Sequence, residues 1–147
     1  VPEAIDQPSV GVLCFIAHRA METRVMEGLA DAGFDDVTLA QSRVFQRIAP
    51  AGSRITDLAE QARVTKQTAV FLVNQLERVG YVERVADPTD ARARLVRVAG
   101  RGQAAVAAAR RLERQVEEEW TQHLGARDVA TLTRILARLR EVTDPYA

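Results

Sequence analysis

Hydrophobic positions along this chain fall mostly at helical spacing. Between residues 9 and 31, Val12, Phe15, Ile16, Met26 and Leu29 recur at near-helical intervals, and Gly33 punctuates the end of the stretch. Thr38 opens TLAQ, a Thr-x-x-Gln capping box. Val44, Phe45 and Ile48 then supply the buried face of a helix running to about residue 49, where APAGS stops it. A short helix from about 54 to 62 follows, with Ile55, Leu58 and Ala59 facing inward. After Val64, Thr65 is the next N-cap. It begins TKQTAVFLVNQLERVG, in which Ala69, Leu72, Val73 and Leu76 form one apolar stripe and Gly80 suits a helix C′ position.

The period then changes. Residues 82–98, VERVADPTDARARLVRV, read as two β-rich arms, with Tyr81, Val82 and Val85 on one and Leu95, Val96 and Val98 on the other. Asp87-Pro88 and Thr89-Asp90 supply the turn chemistry between them. Beyond Gly100 an alanine-rich run predicts one long helix to about 124. Gly125 breaks it, and residues 127–142 form a last amphipathic helix through Val129, Leu132, Ile135, Leu136 and Leu139. The expected fold is mainly α with a small β-hairpin wing.

Composition adds bounds. A chain of 147 residues with 47% hydrophobic content is one domain, or one core with an extension. No apolar run approaches the ~20 residues of a membrane span, and no secretory signal is visible, so the expected compartment is the cytoplasm. A single cysteine excludes an internal disulfide framework and, with two histidines, argues against a structural zinc site. Net charge is zero, but it is unevenly spread. Residues 1–36 hold seven acids against Arg19 and Arg24, whereas residues 63–101 hold eight bases against four acids. A partner that touches one face meets that local field, not the total.

A short helix, a tight turn and a second helix with a capped polar start make a helix-turn-helix. Its outward positions would be Thr65, Lys66, Gln67, Thr68, Val70, Phe71 and Asn74. Lys66 suits guanine or phosphate, Gln67 and Asn74 suit adenine edges, Thr65 and Thr68 suit phosphate or base, and Val70 suits a thymine methyl. Such helix pairs occur in any α-rich domain; the ribbon that follows distinguishes this one. Arg84, Arg92 and Arg94 on that ribbon are candidate DNA contacts, the last two reaching a neighbouring minor groove, with Asp87 and Asp90 fixing the direction of arginines at the tip.

LERVGYVERVADPTDARARLVRV, residues 76–98, resembles the helix-to-wing segment of the MarR family of bacterial transcription regulators, with its Asp-Pro-x-Asp-x-Arg tip. TDLAEQARVTKQTAVFLVNQL, residues 56–76, resembles that family's helix-turn-helix, and the similarity covers nearly the whole chain. The resemblance implies a homodimer whose terminal helices (residues 1–36 and 100–147) intertwine and carry winged lobes (residues 37–99). It further implies binding of double-stranded DNA at a pseudo-palindromic operator, as a repressor released by a small effector or oxidant, with no cofactor. Two positions depart from the pattern: Arg63 stands where glycine is frequent, and Phe71 where a polar or basic residue is, so Phe71 is free either to pack under the wing or to face DNA. The apolar stripes of the first, fifth and sixth helices exceed what a small winged domain covers, which independently suggests a core shared by two chains.

For sensing, Cys14 and His18 lie one helical turn apart, and a nearby imidazolium favours the thiolate. The segment is similar to the sensing helix of the organic-hydroperoxide regulators, in which tyrosines support the cysteine; the only tyrosines here, Tyr81 and Tyr146, lie at a wing arm and at the C-terminus. Against that stands plain packing of a small buried residue, and a competing family mechanism in which a phenolic or carboxylate effector enters a cleft between dimer helices and lobe. Trp120 and Phe45 read as core. An enzyme built on Cys14 and His18 lacks a third orienting residue, an oxyanion site and a phosphate loop. A winged module that has lost DNA binding is the remaining alternative.

Overall fold

A computed structural model of the protein describes residues 7–147; residues 1–6, with Glu3 and Asp6 of the acidic segment, lie outside the described residues. The elements run α1 (Val10–Asp31), α2 (Leu39–Phe45), α3 (Ile55–Ala62), α4 (Lys66–Arg78), β1 (Val82–Asp87), β2 (Asp90–Val98), α5 (Gly100–Leu124) and α6 (Ala126–Thr143). The mainly helical reading with one antiparallel hairpin holds. Among the described residues no helix is long and apolar enough to cross a membrane.

Local chemistry sets most of the boundaries. The capping box forms: Thr38 Oγ1 accepts from the Gln41 N–H while Gln41 Oε1 accepts from the Thr38 N–H. α2 is shorter than the apolar spacing predicts. Past Phe45 the chain tightens, with the N–H groups of Arg47 and Ile48 reaching back three residues to Val44 and Phe45. The Ala49 N–H is taken by Ser53 Oγ, and Pro50 steers Ala49 away from helical geometry. Ile48 nevertheless packs on the core.

α4 ends as expected, with Gly80 at φ +86° and the Tyr81 N–H closing on the Leu76 carbonyl. α3 ends in the same way, but its left-handed residue is Arg63, at φ +54°, with the Val64 N–H bonded to the Ala59 carbonyl. This explains why glycine suits that position. Arg63 is exposed, so Arg63→Gly should raise stability by about 1 kcal/mol through relief of the left-handed conformation. Urea unfolding would register it as a higher midpoint.

The core of the winged lobe lies where α2, α3, α4 and the hairpin meet, around Val44, Leu58, Val73, Leu76, Tyr81, Val82 and Val96. α4 buries Ala69, Leu72, Val73 and Leu76, the stripe its sequence marks. A third short edge joins the hairpin: Ser53 exchanges both backbone hydrogen bonds with Val96, at 2.9 and 2.8 Å. α5 returns beside α1, running antiparallel to it. Gly28 faces Leu112 so closely that a Cβ would lie 2.4 Å from its Cδ2, and Arg24 meets Glu119 at 2.8 Å.

Only the second half of α1 finds partners within the chain. Val12, Phe15 and Ile16 stay exposed, at 46%, 61% and 54%. α6 buries nothing, and its Leu132, Ile135, Leu136 and Leu139 are likewise exposed.

Candidate nucleic-acid interface and effector cavity

α4 is positioned from below. The Gln41 side chain, buried and already engaged in the capping box, donates from Nε2 to Gln75 Oε1 at 2.9 Å. With the apolar stripe of α4 turned inward, Thr65, Lys66, Gln67, Thr68, Phe71 and Asn74 are exposed and Val70 is half-buried. Thr65 Oγ1 accepts from the Thr68 N–H at 3.1 Å and also donates to Thr68 Oγ1 at 2.9 Å, so both hydroxyls are used to start the helix. Phe71 does not pack under the wing. Its side chain stands 60% exposed.

The ribbon is tied to this helix by Arg84, which donates to Glu77 Oε1 and to Asn74 Oδ1, each at 2.7 Å. Asn74 therefore has its amide oxygen engaged, which leaves its N–H groups as the uncommitted pair. The register sets Arg84 against Val96 and Ala86 against Arg94. Directly paired residues share a face, and successive residues alternate. Arg84 and Arg94 thus share one face of the ribbon, the face from which Arg84 reaches α4, while Arg92 lies in the irregular stretch between the Ala86–Arg94 and Asp87–Asp90 pairs. Arg97 and Glu83 sit on the other face and hold each other at 2.6 Å.

The carboxylates at the tip act differently from expectation. Asp87 and Asp90 do not fix Arg92 or Arg94 through ion pairs. Asp87, 7% exposed, accepts from the Thr89 N–H and hydroxyl and from Arg54, which stands at the start of α3 and reaches Asp87 Oδ2 at 2.7 Å. Asp90 caps the Arg92 N–H at 3.0 Å and lies 3.8 Å from Arg54. The turn is thereby pinned to the helix-turn-helix, 33 residues away in sequence. Nothing local in the sequence marks Arg54 for this role.

Hydrogen bonds from Thr89, then Arg54, push the Asp87 carboxyl down to about 2 from an ordinary 3.8. A depressed native pKa means that this clamp stabilises fully above the ordinary value and is lost as pH falls towards 2. Asp87→Asn should therefore lower the melting temperature at pH 7, on the order of a few degrees. The gap to the parent protein should narrow below about pH 4.

A consequence emerges for the charge pattern. Arg43, Arg47, Arg54, Arg84 and Arg97 of the lobe each have an acidic partner. Among the described residues, Arg63, Lys66, Arg78, Arg92 and Arg94 have none. The unpaired cations of the lobe are thus confined to the helix-turn-helix turn, α4 and the wing.

Behind this surface, a cavity of about 360 Å³ opens between α1, α2 and α5. Val25, Leu29, Phe34, Phe45, Tyr81 and Val106 give it apolar walls, with Ser42, Gln46, Arg110 and Glu113 as polar groups. Phe45, read from sequence as core, does two things: it meets the Tyr81 ring edge-on at 6.5 Å and it lines the cavity. Trp120 is half-buried on α5 and lies outside the lining. Tyr81 donates to Asp36 at 2.5 Å and lies under the Arg101 guanidinium, which itself bonds Asp36 at 2.7 Å. Burial, then the Asp36 acceptor, raises the Tyr81 phenol well above its ordinary value.

Cys14 is exposed on α1, not packed within the chain. His18 turns to Glu22, at 3.5 Å. Glu22, with only 5% of its side chain exposed, also receives Arg19 and the α2 residue Arg43. Burial works to raise its pKa, but Arg43, His18 and Arg19 overcome that and lower it. The histidine thus belongs to a joint between α1 and the lobe. Tyr146 bonds Glu60 of α3, and Tyr81 sits in the lobe core. Among the described residues no group of His, Cys, Asp and Glu is gathered as metal ligands.

Residues 35–93 match the family model described as MarR family. No curated protein matches the chain. Among solved structures, apo MarR from E. coli is 26% identical, covers 91% of this chain and 98% of its own, and superposes with a TM-score of 0.71. A transcriptional regulator from Thermotoga maritima is also 26% identical, with coverages of 90% and 92% and a TM-score of 0.64. A Mycobacterium tuberculosis MarR family protein, solved in complex with salicylic acid, shares the fold at 23% identity, coverages of 92% and 99%, and a TM-score of 0.67.

Proposed function

We propose that the chain, whose residues 35–93 match the MarR family model and whose fold superposes on that of E. coli MarR, is a sequence-specific DNA-binding repressor of that family. On this reading it acts in the cytoplasm as a homodimer on a pseudo-palindromic operator and is released by a small molecule. One observation carries the proposal: the lobe's acid-free cations all lie in the turn, on α4 or on the ribbon that Arg84 ties to α4. Lys66 and Gln67 would enter the major groove at the N-terminal end of α4, with Thr65 and Thr68 near phosphate and Val70 and Asn74 further along. Arg92 and Arg94 would reach the adjacent minor groove, and Arg84 would hold ribbon and helix in register.

Residues 1–36 and 100–147 would form the dimerisation region, with 37–99 as the DNA-binding lobe. The exposed apolar residues of α1 and α6 support this division. The cavity supports the effector: its walls suit a small, largely apolar molecule with a polar group near Arg110 or Gln46. It adjoins the Tyr81–Asp36–Arg101 brace, so a ligand there would bear on the contact between lobe and α5. Cys14 supports a second route, oxidation of an exposed thiol; equal release of DNA from the parent and Cys14→Ser proteins by cumene hydroperoxide would remove it. MarR family members are transcription regulators, which supports reading this chain as a regulator.

Selection of bound duplexes from genomic fragments, followed by titration of the winner across salt, tests the reading. Affinity should fall steeply as salt rises, because each neutralised phosphate releases counterions. Failure to enrich any sequence, or binding indifferent to salt, would overturn it.

A further inference from the structure

We propose that Phe71 is a specificity-determining residue that reads the C5 methyl of a pyrimidine, thymine in unmodified DNA, in the major groove. The inference rests on the DNA-binding reading and adds a base preference to it.

The exposed large hydrophobics of this chain fall into two groups. Val10, Val12, Leu13, Phe15 and Ile16 lie on α1, and the others but one lie on α6, at the end of α5 or in the C-terminal tail. The exception is Phe71, at 60% exposure, alone in the winged lobe. It therefore does not belong to the apolar surface offered to a second copy. It is also no part of a patch: its neighbours along the outer face of α4 are Gln67, one turn before, and Asn74, one turn after, both exposed. At 100° per residue these three lie opposite the buried stripe of Leu72 and Leu76, so the ring sits near the crest of the helix.

A single large apolar group between two hydrogen-bonding side chains fits the major groove better than a protein surface, which would need a contiguous apolar area. The groove offers one apolar feature, the methyl on C5 of thymine, beside acceptors and donors that glutamine and asparagine can meet. Arg84 fixes the Asn74 amide oxygen at 2.7 Å, which holds this crest against the ribbon and keeps the ring in one register. The same methyl occurs on 5-methylcytosine, and the test separates the two sources.

Duplexes are selected from a random-sequence pool by the parent protein and by Phe71→Ala, and each thymidine of the parent site is then replaced in turn by deoxyuridine. At one position per half-site, loss of the methyl should weaken parent binding about fourfold, the value of one buried methyl-sized group. Replacing both half-sites should weaken it by roughly an order of magnitude. Phe71→Ala should bind the thymidine and deoxyuridine duplexes equally and should select sites with that position relaxed. A 5-methylcytosine·guanine pair at the position should recover part of the affinity that a cytosine·guanine pair loses if the methyl alone is read; no recovery assigns the preference to the thymine·adenine pair as a whole and overturns the methyl reading. A site in which every deoxyuridine is silent overturns the inference while leaving DNA binding intact, and returns Phe71 to a protein-facing role. Failure of the parent protein to select any sequence overturns both.

Discussion

If the proposed homodimer forms through α1 and α6, replacing Ile135 and Leu139 with glutamate should leave a monomer, with sedimentation showing half the parent's mass, and should lower operator affinity by more than about a thousandfold. Both side chains are exposed in the single chain, at 50% and 42%, on a helix that buries none of its own residues. Two copies related by a twofold axis would each contribute this face and the apolar half of α1. Burying a large aliphatic side chain is worth roughly 1.5–3 kcal/mol, whereas an unpaired carboxylate in the same place costs several kcal/mol. Four such charges across one symmetric interface leave little chance of association. A monomer would hold one half-site, and the affinity that depends on two recognition helices spaced by one helical turn would be lost. A variant that stays dimeric with unchanged binding would show that these helices meet something else.

The second large effect is expected from Arg92→Ala with Arg94→Ala. Affinity for the selected operator should fall by at least about 30-fold at physiological salt, since each of the two contacts is worth about 1–3 kcal/mol and 1.4 kcal/mol is about tenfold. The slope of log affinity against log salt should also become shallower by about one for each arginine that neutralised a phosphate. Arg97→Ala is the internal control. Arg97 shares the ribbon and the charge, but it lies on the opposite face in a pair with Glu83, so its removal should leave affinity within a factor of two or so. Equal losses in the two proteins would mean that overall charge, and not the position of the arginine on the ribbon, governs binding. Circular dichroism should be unchanged in each case, because all three side chains are exposed.

How much of this was legible beforehand depends on the range of the interaction concerned. The Thr38 box, the Thr65 cap, the Gly80 stop and the buried face of α4 were readable because each is settled within four or five residues. Arg63 was visible as a departure from a frequent glycine, and its positive φ gives the reason. The tip was half-readable. Turn residues marked the bend, but the partner of Asp87 was mistaken, because Arg54 approaches from another element. Cys14 and His18 share a helical face as expected, yet the histidine answers to Glu22 and the cysteine stays open, which a pattern of two residues cannot foretell.

By itself the sequence determined the order of the elements, the inward face of α4 and the presence of an arginine-bearing ribbon, since periodicity, caps and turn residues act over a turn or two of chain. Which arginines are left without an acid was decided only in three dimensions: Glu77, Glu83 and Asp87 each select a partner by proximity in the folded chain, and the residues passed over mark the surface. The cavity likewise exists only where α1, α2 and α5 converge, from residues that look like ordinary core when read in line.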